Sequence, residues 1–360
     1  MTPVVAARSG PREDAERFPI PHLEAFVATI LTAAELPPAD AQTVARLMVS
    51  ADARGADGHG VFRLPQYVQR IQAGGINRHP QMRLVQDHPA TALLDGDNGM
   101  GHLVMSRAAA VAMEKSASTG IGWVGVRYSN HAGPAAMYAA MPLEKNMIGL
   151  YLAIGNANHM APWGGTELLL STNPIAIAVP AGTHPPVILD MATSVAAFGK
   201  VKRKLQDGEP LPLGWMIDGM GQPLTDPAHA HDGSLLPIGG PKGYGLALMI
   251  GLLAGTLNGA AFGREVVDFN ADSHSITNTG HCVVAIDVAR FMDLDAFKAA
   301  VDAVCEQIHG SPTLPGAEIR IPGEHSAALV AESRELGVPL APAVVRQLEL
   351  MAAEFGVNPL

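Results

Sequence analysis

The feature that most limits the fold of this chain is a set of short apolar runs in its middle, each bounded by glycine, proline or asparagine. They lie at 121–126, 148–154, 175–179, 187–189 and 282–286. Runs this short that begin and end at turn residues read as buried strands. Helical periodicity is interleaved with them at 103–118, 133–141 and 242–257. The two ends of the chain are helical. Leu23, Phe26, Val27, Ile30 and Leu31 recur at helical spacing, and a second helix after Pro37-Pro38 carries Val44, Leu47 and Met48. A third, from Leu64, places Tyr67, Val68 and Ile71 on one face and stops at Gly74-Gly75. Residues 293–309 and 340–354 are helical again. The order predicts an α/β protein with a mixed-sheet body over 83–290. A helical lobe then comes from both chain ends, 19–82 plus 291–360, and residues 1–18 are expected to be a flexible arm. The stretch 203–240, rich in Gly, Pro and Asp, is expected to be a long surface excursion.

Gly120, Gly122 and Gly125 spell the GxGxxG pattern of dinucleotide-binding folds. In those folds the pattern follows a strand and opens a helix. Here it follows a helix and runs into a strand, with no acidic residue at the expected distance beyond. The glycines therefore read as a helix-to-strand turn and close packing, and no Rossmann site is expected. No Walker A pattern is present either.

Composition narrows the function classes. Hydrophobic residues are 48% and charged residues 16%, enough for a packed core. The net charge of -10 repels phosphate backbones, so no nucleic-acid partner is expected. The most apolar run, 243–257, spans 15 residues, short of the roughly 18 that suggest a membrane span. Neither a membrane span nor a signal peptide is read. Only Cys282 and Cys305 are present, without metal or disulfide-framework spacing, which favours a reducing, cytoplasmic setting. The 14 histidines are scattered, with no HExxH or cysteine cluster, so no metal is expected in the chemistry.

Six segments carry chemistry-bearing side chains. The first is Arg54-Gly-Ala-Asp57-Gly58-His59-Gly-Val-Phe-Arg63, between the second and third helices. A histidine between two glycines is open to a ligand, and an arginine four residues on can pair with a carboxylate. An ordinary surface loop would carry the same residues. Arg127-Tyr-Ser129-Asn130-His131 follows a strand; it suits a ligand site or a helix N-cap. Ser171-Thr172-Asn173-Pro174 and Asp190-Met191-Ala192-Thr193-Ser194, the latter followed by Lys200, offer hydroxyls and amides at strand ends, as turns also do. Gly239-Gly-Pro-Lys242-Gly243-Tyr244 opens the most apolar helix, where backbone amides and Lys242 attract phosphate. Leu314-Pro315-Gly316 leads to Arg320 in a polar loop that is a phosphate contact or a linker.

Taken in order, RGADGHGVFRLPQY, YSNHAG, APWGG, STNPIA, DMATS, PKGYGLALM and LPG resemble the malate/L-lactate dehydrogenase family, across about residues 20–355. That family lacks a Rossmann fold and includes ureidoglycolate dehydrogenase, diketogulonate reductase and Δ1-piperideine-2-carboxylate reductase. The resemblance implies a homodimer that uses NAD or NADP on a small carboxylate substrate, interconverting a 2-hydroxy acid and its 2-oxo acid. It implies His59 as the acid/base and Arg63 as the carboxylate anchor. His131 is a second proton-transfer candidate beside the nicotinamide. Thr172 and its neighbour Asn173 are implied at the substrate. Asp190, Met191, Ala192, His131, Lys242, Gly243, Leu314, Pro315, Gly316 and Arg320 are implied at the cofactor.

Two positions bear on substrate class. The family's loop usually reads Asp-Ser-His-Gly, whereas Gly58 stands here where the serine would be. Lys200 matches a position where hydroxy-acid members tend to carry lysine and imine reductases aspartate, and it is implied in catalysis. Reduction of a cyclic or N-methyl imino acid remains the alternative activity. An inactive metabolite-binding homologue is the alternative from another class.

Overall fold

The computed structural model describes residues 15–360. In chain order its elements are β1 (Glu16–Phe18), α1 (Ile20–Ala33), α2 (Pro38–Ala53), α3 (Leu64–Gln72), β2 (Arg83–Asp87), β3 (Thr91–Asp95), α4 (Gly101–Thr119), β4 (Ile121–Ser129), α5 (Ala136–Ala140), β5 (Met147–Ala153), β6 (Ile175–Val179), β7 (Val187–Met191), α6 (Phe198–Asp207), β8 (Met216–Ile217), β9 (Ser234–Leu235), α7 (Pro241–Ile250), β10 (Thr279–Asp287), α8 (Leu294–His309), α9 (Glu324–Leu336), β11 (Val338–Leu340) and α10 (Pro342–Phe355). They group into two compact units. One holds the described residues through Gln69 with Val179–Ile188 and Val288–Leu360; the other holds Arg70–Ala178 and Leu189–Asp287. The division falls at 69/70, 178/179, 188/189 and 287/288, where the sequence suggests 82/83 and 290/291.

In the first unit the first and last strands meet. β1 pairs antiparallel with β11, Phe18 opposite Val338. α1 packs on α2 and α10, and α2 on α9. Leu23, Val27, Ile30 and Leu31 are fully buried, as their spacing predicts. Residues 16–18 are thus a strand and not part of a loose arm, because β11 offers them a partner edge. The remainder of the expected arm, 1–14, lies outside the described residues.

The second unit holds most of a mixed sheet of order β2-β3-β4-β10-β5-β6-β7. β3 and β4 run parallel, whereas β4–β10, β10–β5 and β5–β6 are antiparallel. Strand alternation sends its central residues to two apolar layers. On one face Gly122 lies under α4 and Gly149 under α5: a Cβ at either would come 2.0 Å from the carbonyl oxygen of Ala112 or Ala139. On the other face Leu152, Ile154, Cys282 and Val284 pack on Ile250 and Ala254. The GxGxxG glycines are spent on this packing. Gly120 caps α4 at φ +89°, and Gly125 makes room for Asn258.

Some elements differ from expectation. The 133–141 helix is only Ala136–Ala140. The apolar helix ends as α-helix at Ile250 and continues as a π-turn, Gly251–Gly255, where Gly251 lets the Phe262 ring approach. β2, β3, α6 and α9 were not anticipated; β2 is mostly solvent-facing and shows little alternation. The expected excursion over 203–240 carries its own core: Leu211, Met216, Leu224, Ala230 and Leu235 pack with Met160, Leu170, Val201 and Ala247.

Candidate active site

The first predicted site segment is a pair of 3-10 turns, Asp57–His59 and Val61–Arg63, leading into α3. Its geometry is set from below by Asp52, in the last turn of α2. The buried Asp52 carboxylate accepts the Val61 amide at 2.8 Å. A Cβ on Gly60 would sit 2.1 Å from either Asp52 oxygen, so the sequence needs glycine there for the turn to close over the acid. Burial pushes the Asp52 carboxyl well above its ordinary range, opposed by the Val61 amide. Arg63 reaches back, donating from Nε to the Gly58 carbonyl at 3.0 Å. His59 keeps a partly exposed edge. Desolvation of its ring, aided by the Arg63 charge, pulls its pKa down to about 4, so it is neutral at pH 7. A Cβ at Gly58 would meet nothing within 4 Å, so packing does not exclude a serine at this position.

His131 sits in a loop held by the residue before it. The Asn130 side-chain amide donates to Asn98 Oδ1, the Asn98 carbonyl and the Gly99 carbonyl at 3.0–3.1 Å. Its Oδ1 accepts from Thr277 at 3.1 Å. The Asn130 carbonyl faces His281 Nε2 at 3.3 Å, while His281 Nδ1 meets the Tyr151 hydroxyl at 2.7 Å. Burial lowers the His281 pKa to about 4, partly offset by that carbonyl. The His131 ring lies 5.6 Å from that of Phe269, over which the Arg70 guanidinium also stands, 4.7 Å from the ring centre.

The strand-end segments are stitched together within the same unit. Thr193 donates through both its amide and hydroxyl to the Thr172 carbonyl, at 2.9 and 3.0 Å. The Ile238 amide donates to the Thr193 carbonyl. Asn173 accepts the Gly155 amide and donates to the Ala247 carbonyl in α7. Asp190, near the end of β7, accepts the Ala136 amide at the start of α5; burial raises its carboxyl. Met191 and Ala192 follow it. At the start of α7, Gly239 and Gly240 take φ of +59° and +64°, and Gly243 is buried against the Ile238 carbonyl. Lys242 is exposed in the first turn. Pro241 has no amide hydrogen and the Gly240 amide donates to the Pro237 carbonyl, so the donors here that fit an anionic diphosphate are Lys242 and the first-turn amides that follow Pro241. Lys200 is exposed in the first turn of α6.

The structure brings Thr172, Asn173, Thr193 and the α7 start into one hydrogen-bonded cluster. It places His59 and Arg63 in the other unit, together with Leu314, Pro315, Gly316 and Arg320. Those last four lie in an exposed turn, Gly316 at φ +75°, and Arg320 pairs with Glu318 at 2.7 Å. Sequence reasoning missed Asp52, Asn130's bracing role, His281 and His159. His159 stacks on Phe198 at 4.0 Å, two residues before Lys200, and desolvation lowers its pKa to about 4. The available signals were a histidine within each of two apolar or loop segments and an acid at the end of an otherwise apolar helix face.

A family model described as malate/L-lactate dehydrogenase matches residues 18–349. The malate dehydrogenase of Pyrococcus abyssi is 39% identical over 97% of both chains. The L-sulfolactate dehydrogenase of Methanothermobacter thermautotrophicus is 37% identical over 92% of this chain and 95% of its own. The solved malate dehydrogenase of Pyrococcus horikoshii superposes with a TM-score of 0.90 at 36% identity, over 98% of this chain and 99% of that one. With the turn at His59, the order of the segments and the non-Rossmann sheet, these likenesses establish that the chain belongs to the malate/L-lactate dehydrogenase family.

Proposed function

We propose that the chain is an NAD(P)-dependent dehydrogenase that interconverts a small 2-hydroxy acid of the malate/lactate class and its 2-oxo acid. The observation that carries this reading is the turn over Asp52. A neutral imidazole and a guanidinium share one short hydrogen-bonded segment, the pair a hydroxy acid needs for its proton and its carboxylate.

In this reading Arg63 anchors the carboxylate, and Thr172 and Asn173 line the substrate. His59 accepts the hydroxyl proton during oxidation and returns it during reduction; His131 is the competing candidate. Lys200 stabilises negative charge developing on the substrate oxygen. When bound, the nicotinamide nucleotide supplies the hydride acceptor or donor. The start of α7, with Lys242 and Gly243, would hold its diphosphate, and Asp190, Met191, Ala192, Leu314, Pro315, Gly316 and Arg320 would contact the rest. Arg127 and Arg320 each pair with a carboxylate, Asp95 and Glu318. Assembly as a cytoplasmic homodimer completes the reading. Among the described residues no helix is long and apolar enough to cross a membrane.

The deciding experiment is a rate screen. Pyruvate, oxaloacetate, phenylpyruvate and 2-oxoglutarate are offered with NADH or NADPH, with and without methylamine, alongside Δ1-piperideine-2-carboxylate. Rapid amine-independent reduction of an oxo acid is expected. Turnover confined to imines would move the chain to the reductase branch. In the active assay, His59→Ala is expected to lower kcat/KM by roughly 10²- to 10⁴-fold. Near-full activity in that variant would transfer the role to His131.

A further inference from the structure

Outside the proposed catalytic residues, the first unit gathers three ligand-type side chains that the sequence scatters over 140 positions. His184 lies in the turn between β6 and β7, His309 is the last residue of α8, and Glu324 is the first residue of α9. Their ligating atoms all lie within 4.8 Å of one another. His309 Nε2 stands 2.9 Å from Glu324 Oε1 and 3.2 Å from Oε2. The rings of His184 and His309 are 6.0 Å apart and tilted by 39°.

The arrangement is braced from within the unit. Asp302 and His309 are seven residues apart on α8, hence on one face of the helix. Asp302 accepts the Gly182 amide at 3.0 Å, the Thr183 amide and hydroxyl at 2.7 and 2.9 Å, and the His184 amide at 3.3 Å. One carboxylate thus ties the His184 turn to the helix that carries His309. Glu324 is oriented by the Ile321 amide, which donates to its Oε2 at 2.9 Å. His184 and Glu324 are half-buried, and His309 is more open, leaving a side from which an ion could enter.

We propose that His184, His309 and Glu324 bind one divalent transition-metal ion of the zinc class. Two imidazoles and a carboxylate suit zinc's borderline character, and they leave a fourth position for water. Tetrahedral ligands at zinc bond lengths stand roughly 3.4 Å apart, close to the present spacing of these atoms. A hard cation such as magnesium is a poor match for two imidazoles. The ion would cross-link the β6–β7 turn, the end of α8 and the start of α9. The ion is proposed to take no part in hydride transfer, so the site does not stand or fall with the proposed activity.

The test uses the full-length chain stripped of metal with EDTA and titrated calorimetrically with ZnCl2, with MgCl2 as the hard-ion control. Thermal melts with and without zinc provide the second readout. One zinc per chain is expected, with a raised Tm and no saturable magnesium binding. His184→Ala, His309→Ala and Glu324→Gln should each weaken zinc binding by at least about 10-fold, the lower end of what even an outer-shell change costs. His229→Ala/His231→Ala, which removes an exposed histidine pair elsewhere, should bind zinc as the unaltered chain does. Circular dichroism reports whether each variant is folded. Absence of saturable zinc binding, or unchanged binding in folded His184→Ala/His309→Ala, would overturn the proposal. So would loss of binding in His229→Ala/His231→Ala with retention in His184→Ala/His309→Ala.

Discussion

At the scale of single residues, the turn that presents His59 depends on two neighbours that take no part in the chemistry. Asp52 supplies the acceptor for the Val61 amide, and Gly60 supplies the space for Asp52. Gly60→Ala forces a methyl onto a buried carboxylate and is expected to cost about 1–3 kcal/mol, with a fall in kcat/KM as the turn shifts. Asp52→Ala leaves a buried amide unsatisfied, at a similar cost of about 1–3 kcal/mol. Asp52→Asn keeps an acceptor of the same shape and should lose clearly less. Urea unfolding midpoints rank the three; an Asn variant as damaged as the Ala variant would show that the charge, not the acceptor, holds the turn. The glycines on either side of His59 and the later arginine were legible in the sequence. Asp52 was not, because an acid near the end of a helix looks solvated until the following turn folds back over it.

At the scale of elements, the sheet is stabilised by helices lying close to it, and glycines set that closeness. Gly122→Val would drive a side chain into the Ala112 carbonyl of α4, 2.0 Å from its Cβ. We expect a loss of at least about 1–3 kcal/mol, read as a lowered Tm. Gly219→Ala, where nothing lies within 4 Å, should stay within about 0.5 kcal/mol of the original. Equal effects would mean that α4 can retreat from β4 without penalty. Elements with apolar runs were legible: β4, β5, β6, β7, β10, α1 and α8 all fall near them, although β7, expected to be a buried strand, has no fully buried residue. β2 and α9 were not, since half-exposed elements lack a clean period. The segment 203–240 was misread because its apolar residues are spaced singly among turn residues and form a core only with Met160, Leu170 and Ala247 from elsewhere in the chain.

At the scale of the whole molecule, desolvated histidines shape the response of stability to acid. His281, His59 and His159 have folded-state pKa values of about 4 against 6.5 for the free side chain. Between these values the unfolded chain binds more protons, so stability falls as pH drops from about 6.5 to about 4 and levels off below that. Asp52 and Asp190, whose carboxyls are raised, act with the opposite sign: their contribution is lost as pH rises. His281 is the most buried of the three histidines, and for it the loss between pH 7 and pH 4 amounts to about 3 kcal/mol. The drop in unfolding free energy over that range should be about 3 kcal/mol larger in the unaltered chain than in His281→Asn. Equal drops would show that His281 takes up its proton without unfolding. By itself the sequence determined the alternation of strands and helices, the exclusion of a Rossmann site and the segments that carry reactive side chains. These follow from local period and from the order of motifs along the chain. Only the tertiary structure decided that Asp52 lies beneath His59, that His281 and Asn130 brace His131, and that His184, His309 and Glu324 meet. Contacts between residues far apart in sequence leave no periodic trace, because they depend on how the chain returns upon itself and not on any local preference.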